Sequence, residues 1–145
     1  MRTLETSIAI AAAPDAVWLI MADVVRWPDW LPTVTRVEAL DGETLAVGRR
    51  YRVLQPRLRP ATWVVTALDS GRSFSWDCQW LGITVTAQHE LVASAATSTT
   101  VRLTVRYAGP LAPLAGWLTS STTAGYIRQE AAALKRKVES ADWAR

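Results

Sequence analysis

The single histidine, His89, is the side chain of this sequence best suited to acid–base chemistry. An imidazole titrates near neutral pH, so it could act as a general acid or base, or donate a hydrogen bond to a ligand carbonyl. Tyr51 and Tyr107 could orient or protonate an enolate. His89 and Tyr51 are therefore the candidate catalytic residues. The alternative that stays open is a buried neutral imidazole bonded to a neighbouring Tyr or Gln.

The remaining reactive residues argue against several other chemistries. One His and one Cys are too few for a protein zinc site, so we expect no metal. Cys78 has no second cysteine and no basic neighbour on its predicted face, which is typical of a small buried apolar residue. We find no defensible Ser-His-Asp set, no phosphate-binding glycine loop and no dinucleotide fingerprint. The sequence predicts no cofactor.

Eight tryptophans in 145 residues indicate where a ligand would lie. Indoles are large and rigid, and a domain of this size has little room for eight of them in a solid core. Small molecules usually bind in apolar pockets with few polar groups, so we expect several of the tryptophans to line a cavity or its mouth. The eight are Trp18, Trp27, Trp30, Trp63, Trp76, Trp80, Trp117 and Trp143.

Alternating apolar and polar residues predict the strands that would carry these side chains. A first strand over 3–11 is followed by a helix from Pro14 to about 22 and a short helical turn within 25–31, limited by two prolines. Asp41-Gly42 is a hairpin-type turn signal. Short, regular spacing predicts one antiparallel meander. Its six further strands cover 34–40, 50–55, 62–68, 73–80, 83–92 and 99–107.

A long amphipathic helix is predicted over 115–140. Its first half is small and polar and its second half is aliphatic, so we expect tight packing at one end and space beneath the other. The predicted fold class is α+β: a seven-stranded curved antiparallel sheet around the long C-terminal helix, with two short helices between strands 1 and 2. The helix stripe is Trp117, Ser120, Ala124, Ile127, Ala131, Leu134 and Val138.

Strand parity predicts which residues face the cavity. In the fourth strand we choose Trp63, Val65 and Ala67 as inward. No inward Asp, Glu, Lys or Arg emerges, which suits a neutral, flat or greasy ligand because buried unpaired charges are costly. The predicted ligand-binding residues are Trp30, Tyr51, Val53, Gln55, Trp63, Trp76, Cys78, Trp80, Val85, Ala87, His89, Leu103, Val105, Tyr107, Trp117, Ser120 and Ala124.

The tryptophans take different predicted roles along this fold. Trp18 packs the first helix on the sheet as a core residue, and Trp143 lies in a frayed tail. Two others, Trp27 and Trp30, cover the mouth of the cavity. The predicted walls and entrance are Trp63, Trp76, Trp80 and Trp117.

The chain resembles the SRPBCC (START-like) superfamily, and within it the polyketide cyclase/dehydrase-like group. This resemblance covers nearly the whole chain and implies the helix-grip fold. It also implies a hydrophobic ligand, because the superfamily includes aromatase/cyclases, lipid and sterol carriers, hormone receptors and quinone-binding proteins. The phrases that carry it are Ala13-Pro14-Asp15-Ala16-Val17-Trp18, Trp27-Pro28-Asp29-Trp30, Gly48-Arg49-Arg50-Tyr51, Gly71-Arg72-Ser73-Phe74-Ser75-Trp76 and Thr99-Thr100-Val101-Arg102-Leu103.

Composition sets the broad class. With 50% hydrophobic and 20% charged residues, we expect one globular domain over 1–145. No apolar run approaches the roughly 18 residues of a membrane span, so we expect no stable membrane insertion and a cytoplasmic protein. The abundance of Arg and Ala suggests a GC-rich bacterium rather than a nucleic-acid partner. The densest basic cluster is interpreted as a solvated strand face; it comprises Arg49, Arg50, Arg52, Arg57 and Arg59.

Three functions remain open from the sequence. The first is a binding or carrier protein, monomer or homodimer, for a hydrophobic, aromatic or polyketide-like molecule or a lipid. The second is a cyclase, aromatase or dehydratase that folds a flexible substrate, where positioning supplies most of the rate and His89 and Tyr51 assist. The third is an interaction protein that uses its basic face.

Overall fold

The strands form one antiparallel sheet in the order β1-β7-β6-β5-β4-β3-β2. The structure, a computed structural model, describes residues 2–140, with the backbone alone for 114–120. This is the predicted seven-stranded helix-grip fold, which is confirmed. The elements are β1 (Arg2–Ile10), α1 (Pro14–Met21), a 3-10 helix (Val24–Asp29), β2 (Arg36–Ala39), β3 (Arg50–Leu54), β4 (Ala61–Asp69), β5 (Ser73–Trp80), β6 (Ile83–Ala95), β7 (Ser98–Ala108) and α2 (Ala112–Glu139).

Local chemistry explains the two short helices between β1 and β2. Pro14 occupies the first turn of α1, where its missing N–H leaves no hydrogen bond unmade. The second segment forms a 3-10 helix with Pro28 inside it and ends two residues later at Trp30, which is its C-cap. The helix α1 contacts β6 and β7, and the 3-10 helix contacts β2.

Two local predictions are wrong. Asp41-Gly42 is not a tight hairpin turn, because ten residues (40–49) connect β2 to β3. There the Asp41 carboxylate accepts hydrogen bonds of 2.8 Å from the Arg50 backbone N–H and 3.0 Å from its guanidinium. Ala67 does not face inward: the register of β4 shifts between Val65 and Ala67, so Ala67 is exposed and Leu68 takes the inward side opposite Phe74. A bulge of this kind reverses strand parity.

Helix α2 packs unevenly on the sheet. It lies mainly against β1 and β7, with contacts to α1 and only slightly to β6. Its second half buries an aliphatic stripe, whereas 122–126 in its first half are only half-buried. The core therefore sits under the second half of the helix. The buried residues in the second half of α2 are Ile127, Ala131, Ala133, Leu134 and Val138.

Candidate functional site

The concave face of the sheet carries three rows of side chains across β5, β6 and β7. The predicted parity of these strands is confirmed. The first row is fully buried, whereas the β5 and β6 members of the last row, and Ala87 of the middle row, are half-buried. The burial of the side chains on the concave face thus decreases from the row that contains Phe74 to the row that contains Cys78. In order, the rows are Phe74, His89, Leu103; then Trp76, Ala87, Val105; then Cys78, Val85, Tyr107.

His89 lies in the buried row inside an aromatic cage. Its side chain is 5% exposed, and its ring stacks on Phe74 with centroids 4.3 Å apart and planes 7° apart. The rings of Trp27 and Trp76 lie 5.5 and 5.9 Å away. The Nε2 atom is 3.2 Å from Oε2 of Glu130 on α2. Among the described residues, its Nδ1 atom has no hydrogen-bond partner.

Glu130 corrects the expectation that no acidic side chain points inward. Its carboxylate reaches across from α2 to the imidazole, and its side chain is 16% exposed, more than that of His89. A signal was present in the sequence, because Glu130 follows Ile127 by three residues and precedes Leu134 by four, which places it on the buried stripe. The pair can hold and move one proton, and the carboxylate is its more accessible end.

The two candidate tyrosines have different surroundings. The Tyr107 hydroxyl lies 2.7 Å from Oγ1 of Thr123 and links β7 to the first half of α2. The Tyr51 hydroxyl donates to the carbonyls of Glu43 (3.2 Å) and Thr44 (3.0 Å) in the β2–β3 connection. Burial raises the pKa of Tyr51. Tyr51 on β3 is thus held by the main chain of the β2–β3 connection, whereas Tyr107 on β7 is hydrogen-bonded to the helix.

Two of the tryptophans have roles that differ from the predicted ones. Trp27 is a core residue rather than a cover over the mouth, because it is 3% exposed and its Nε1 donates to the Met21 carbonyl at 3.0 Å. Trp80 is not a wall: it lies at the end of β5, 51% exposed, with the Arg59 guanidinium 5.8 Å from its ring centre. In both cases strand and helix position, not residue type, decides the burial.

The other described tryptophans lie on or near the concave side. Trp18 packs edge-on against Phe74, with ring centres 6.4 Å apart, as its core role requires. Trp63 and Trp76 lie side by side at 5.6 Å, and Trp30 meets the edge of Trp27 at 6.3 Å. Three predicted positions fall outside the described side chains: Trp117, Ser120 and Trp143.

Several of the predicted ligand-binding residues are half-buried rather than enclosed. They are Trp63, Cys78, Val85 and Ala87 on the sheet and Ala124 on the helix. Burial, with a smaller effect from the Asp77 charge, raises the pKa of the Cys78 thiol, so it stays protonated. Gln55, just after β3, is also half-buried. Leu103 and Val105 are buried within the rows, and Val53 is buried on β3.

A cleft of about 490 Å³ opens between α2 and the loops at the sheet edge. Pro56 and Arg57 from the β3–β4 loop and Thr122 and Tyr126 from α2 line it. The Tyr126 hydroxyl donates to the Pro56 carbonyl and ties that loop to the helix. Strand parity could not predict this cleft, because the residues that line it belong to loops and to a helix. The small residues at 121–125 are the one signal that could have found it.

The comparisons with known proteins agree with this fold. The sequence profile described as "Polyketide cyclase / dehydrase and lipid transport" matches residues 1–139. The fold is similar to that of the Zhui aromatase/cyclase from Streptomyces sp. R1128 (TM-score 0.76, 19% identity, covering 95% of this chain and 93% of that one). No curated protein sequence matches the chain.

Two further solved structures have a similar fold. Norcoclaurine synthase from Thalictrum flavum, in complex with dopamine and hydroxybenzaldehyde, has a TM-score of 0.74 and 16% identity, covering 94% of this chain and 86% of that one. A START superfamily protein from Mycobacterium smegmatis has a TM-score of 0.69 and 17% identity, covering 94% and 97%. The START-like resemblance is confirmed. In residues 2–140, no helix is long and apolar enough to cross a membrane.

Proposed function

Because the chain belongs to the polyketide cyclase/dehydrase and lipid transport family, we propose that it binds a hydrophobic, aromatic or polyketide-like small molecule. The ligand would lie between the concave sheet and the first half of α2. One observation carries this proposal: cover decreases along the concave face, from the buried Phe74 to the half-buried Cys78, Val85 and Ala87. Apolar side chains left partly uncovered on an inward face favour an apolar ligand over them.

The polar groups around this space limit the ligand's chemistry. Tyr107 with Thr123 offers hydroxyls at one end, and Glu130 with His89 offers a carboxylate at the other. Between them the surface is apolar and aromatic. A flat, largely neutral molecule with a few hydroxyl or carbonyl groups matches this arrangement, because an ionic group without a partner would be costly to desolvate there.

The proposed ligand-binding set keeps every residue predicted from the sequence and adds two. Thr123 and Glu130 join it because their polar atoms lie beside Tyr107 and His89. Exposed Trp80 would contribute only at the rim. A single domain over 1–145, a monomeric or dimeric state and a cytoplasmic location belong to the same proposal.

Titration of the intrinsic tryptophan fluorescence tests the binding function. The anthraquinone emodin serves as the aromatic polyketide probe and oleate as the lipid probe. We expect saturable quenching by emodin because Trp63 and Trp76 flank the space. Saturation by oleate alone would make the protein a lipid carrier instead, and no saturable change with either probe would contradict the proposal.

A second candidate function, an enzyme of the cyclase or dehydratase type, is favoured by the Glu130–His89 pair. The Glu130 carboxylate would take a proton from the carbon between two carbonyls, and the enolate carbon would attack another carbonyl of the same chain. The resulting alkoxide takes that proton back from Glu130. Glu130 then removes the second proton of the same carbon, the C–O bond breaks to form the C=C bond, and Glu130 returns this proton to the departing hydroxyl group, which leaves as water. His89, behind the carboxylate, would position it and stabilise its charge. Tyr51 remains a candidate helper, although its hydroxyl bonds main-chain carbonyls.

Deuterium exchange at the central carbon of benzoylacetone, followed by NMR in D2O, tests this enzymatic step. Glu130→Gln should abolish exchange above the buffer rate while emodin still binds. His89→Gln should lower kcat more than it raises KM and shift the pH profile. Glu5→Gln, on an exposed position of β1, is the control and should exchange like wild type. Exchange unaffected by Glu130→Gln would exclude the assigned role.

A further inference from the structure

Three connections meet at one end of the sheet, and we call them the loop end. They are the β3–β4 loop (55–60), the β5–β6 turn (81–82) and the β7–α2 connection (109–111). In an antiparallel meander these connections lie at the same end, and two contacts join them. The Arg59 guanidinium lies over the Trp80 ring, and the Gly109 backbone packs so closely on Gly82 that an added Cβ would sit 2.2 Å from the Gly82 oxygen.

The loop end exposes a concentration of large apolar side chains. Leu81 is 69% exposed and Trp80 51%, at the tip of the β5–β6 hairpin. Leu58 on the β3–β4 loop and Leu111 before α2 are 36% and 49% exposed. Single exposed leucines are ordinary, but several on neighbouring loops indicate a surface that meets an apolar partner.

The backbone at Leu81 strengthens this interpretation. Leu81 and Gly82 form the two-residue turn between Trp80 and Ile83, with φ of 45° and 77°. A turn with positive φ at both positions favours Asn, Asp or Gly, and a leucine there is conformationally unfavourable. A leucine at this position is therefore unfavourable both for its backbone conformation and for the exposure of its apolar side chain to water. An apolar environment outside the protein is what would favour it.

The charges of the loop end select the partner. The segments 55–60, 79–84 and 109–113 contain two charged residues, Arg57 and Arg59, and no carboxylate. A second copy related by a twofold axis would bring the same arginines together, which disfavours self-association through this end. Tryptophan, leucine and arginine together are the combination that settles at the interface of an anionic bilayer.

We propose that the loop end docks reversibly on an anionic phospholipid surface. Leu81, Trp80, Leu58 and Leu111 enter the boundary between headgroups and acyl chains, and Arg57 and Arg59 contact the phosphates. The 490 Å³ cleft begins at the same β3–β4 loop, so its mouth adjoins the bilayer. Docking does not depend on the proposed ligand-binding function. Only a transfer of ligand from the bilayer to the protein would depend on it.

Vesicle co-sedimentation tests the docking. Wild-type protein should bind vesicles of equimolar phosphatidylcholine and phosphatidylglycerol, and bind phosphatidylcholine alone more weakly. Leu81→Asn should lower the partition coefficient about tenfold, the loss expected for one buried leucine. Arg59→Glu should lower it at least about fivefold on anionic vesicles only, and added salt should do the same. The controls are Leu19→Asn, 64% exposed on α1, and Arg72→Glu at the opposite end of the sheet.

Folding and ligand binding are kept separate from docking in this design. Asn suits positive φ, so Leu81→Asn should retain or raise the wild-type Tm, and it should bind emodin as wild type does. Docking is refuted if wild type sediments with neither vesicle, or if Leu81→Asn and Leu19→Asn bind equally. Binding to a soluble acidic protein without vesicle binding would assign the loop end to a protein partner instead.

Discussion

His89 on β6 and Glu130 on α2 meet 3.2 Å apart between the sheet and the long helix. The imidazole is enclosed by aromatic rings, and the carboxylate is the more exposed partner. The pair can therefore hold one proton, with the Glu130 carboxylate as the member closer to solvent. The contact also means that each residue satisfies a polar group that the core would otherwise leave unpaired.

Removing the carboxylate should destabilise the fold. Glu130→Ala leaves both His89 nitrogens without a partner in the described structure, which should lower the free energy of unfolding by about 1–3 kcal/mol. Urea denaturation measures it. Gln129→Ala, on the exposed neighbouring position, should change stability by less than about 0.5 kcal/mol. Equal effects of the two substitutions would mean that the pair is not formed.

The contact between Tyr107 and Thr123 should be measurable as a coupling energy. A double-mutant cycle with Tyr107→Phe and Thr123→Ala should give about 0.5–1.5 kcal/mol, because the 2.7 Å hydrogen bond joins sheet and helix. The same cycle with Thr122→Ala in place of Thr123→Ala is the control and should be additive. Additivity in both cycles would show that the hydrogen bond between Tyr107 and Thr123 does not join α2 to the sheet.

Gly109 should be the least replaceable glycine at the loop end. Gly109→Ala combines a φ of 109° with a Cβ 2.2 Å from the Gly82 carbonyl oxygen, so strain and overlap should add. Gly71→Ala has a φ of 83° but open space around its Cβ, so it isolates the strain alone. In thermal unfolding, Gly109→Ala should lower the free energy of unfolding by about 1–3 kcal/mol more than Gly71→Ala does. Equal Tm values would contradict the close packing of the two loops.

The Cys78 thiol should titrate above its reference pKa of 9.0, first because it is buried and second because Asp77 is near. A raised pKa in the folded state means that the unfolded chain loses its proton first. The corresponding stability is present below the unfolded pKa and is lost as the pH rises through the folded pKa. Iodoacetamide labelling should therefore rise at higher pH for native protein than for protein in urea.

Asp77→Asn provides the control for this titration. It removes the smaller cause, so the native labelling profile should move toward lower pH and still lie above the profile of the unfolded chain. A native profile at or below the unfolded one would show that Cys78 is not buried.

Much of the fold follows from periodicity. Strand parity holds on β5, β6 and β7 over the three rows from Phe74 to Tyr107, because a shift by one residue would turn their apolar side chains to the other face. It fails on β4, where the bulge after Val65 turns Ala67 outward. Bulges leave no regular mark in a single sequence, so alternation alone could not reveal this one.

The candidate site was less accessible from the sequence. Glu130 does not emerge from strand parity because it lies on the helix, although its spacing puts it on the buried stripe. Trp27 and Trp80 were misplaced because residue type does not set burial: the first is enclosed by Phe74 and Trp76, and the second lies beyond the last covered row. Contacts between distant segments decide such cases.

Calorimetric titration of emodin into wild type, Ala87→Leu and Ala67→Leu tests most directly that a ligand space lies over the half-covered sheet. Ala87 is half-buried on the inward face and would contact the proposed ligand, whereas Ala67 is exposed. We predict saturable binding to wild type and Ala67→Leu, and weaker binding by about tenfold or more to Ala87→Leu, whose stability should stay near that of wild type because the added methylenes enter open space. Unchanged binding to Ala87→Leu, or loss of its stability by overpacking, would contradict the account.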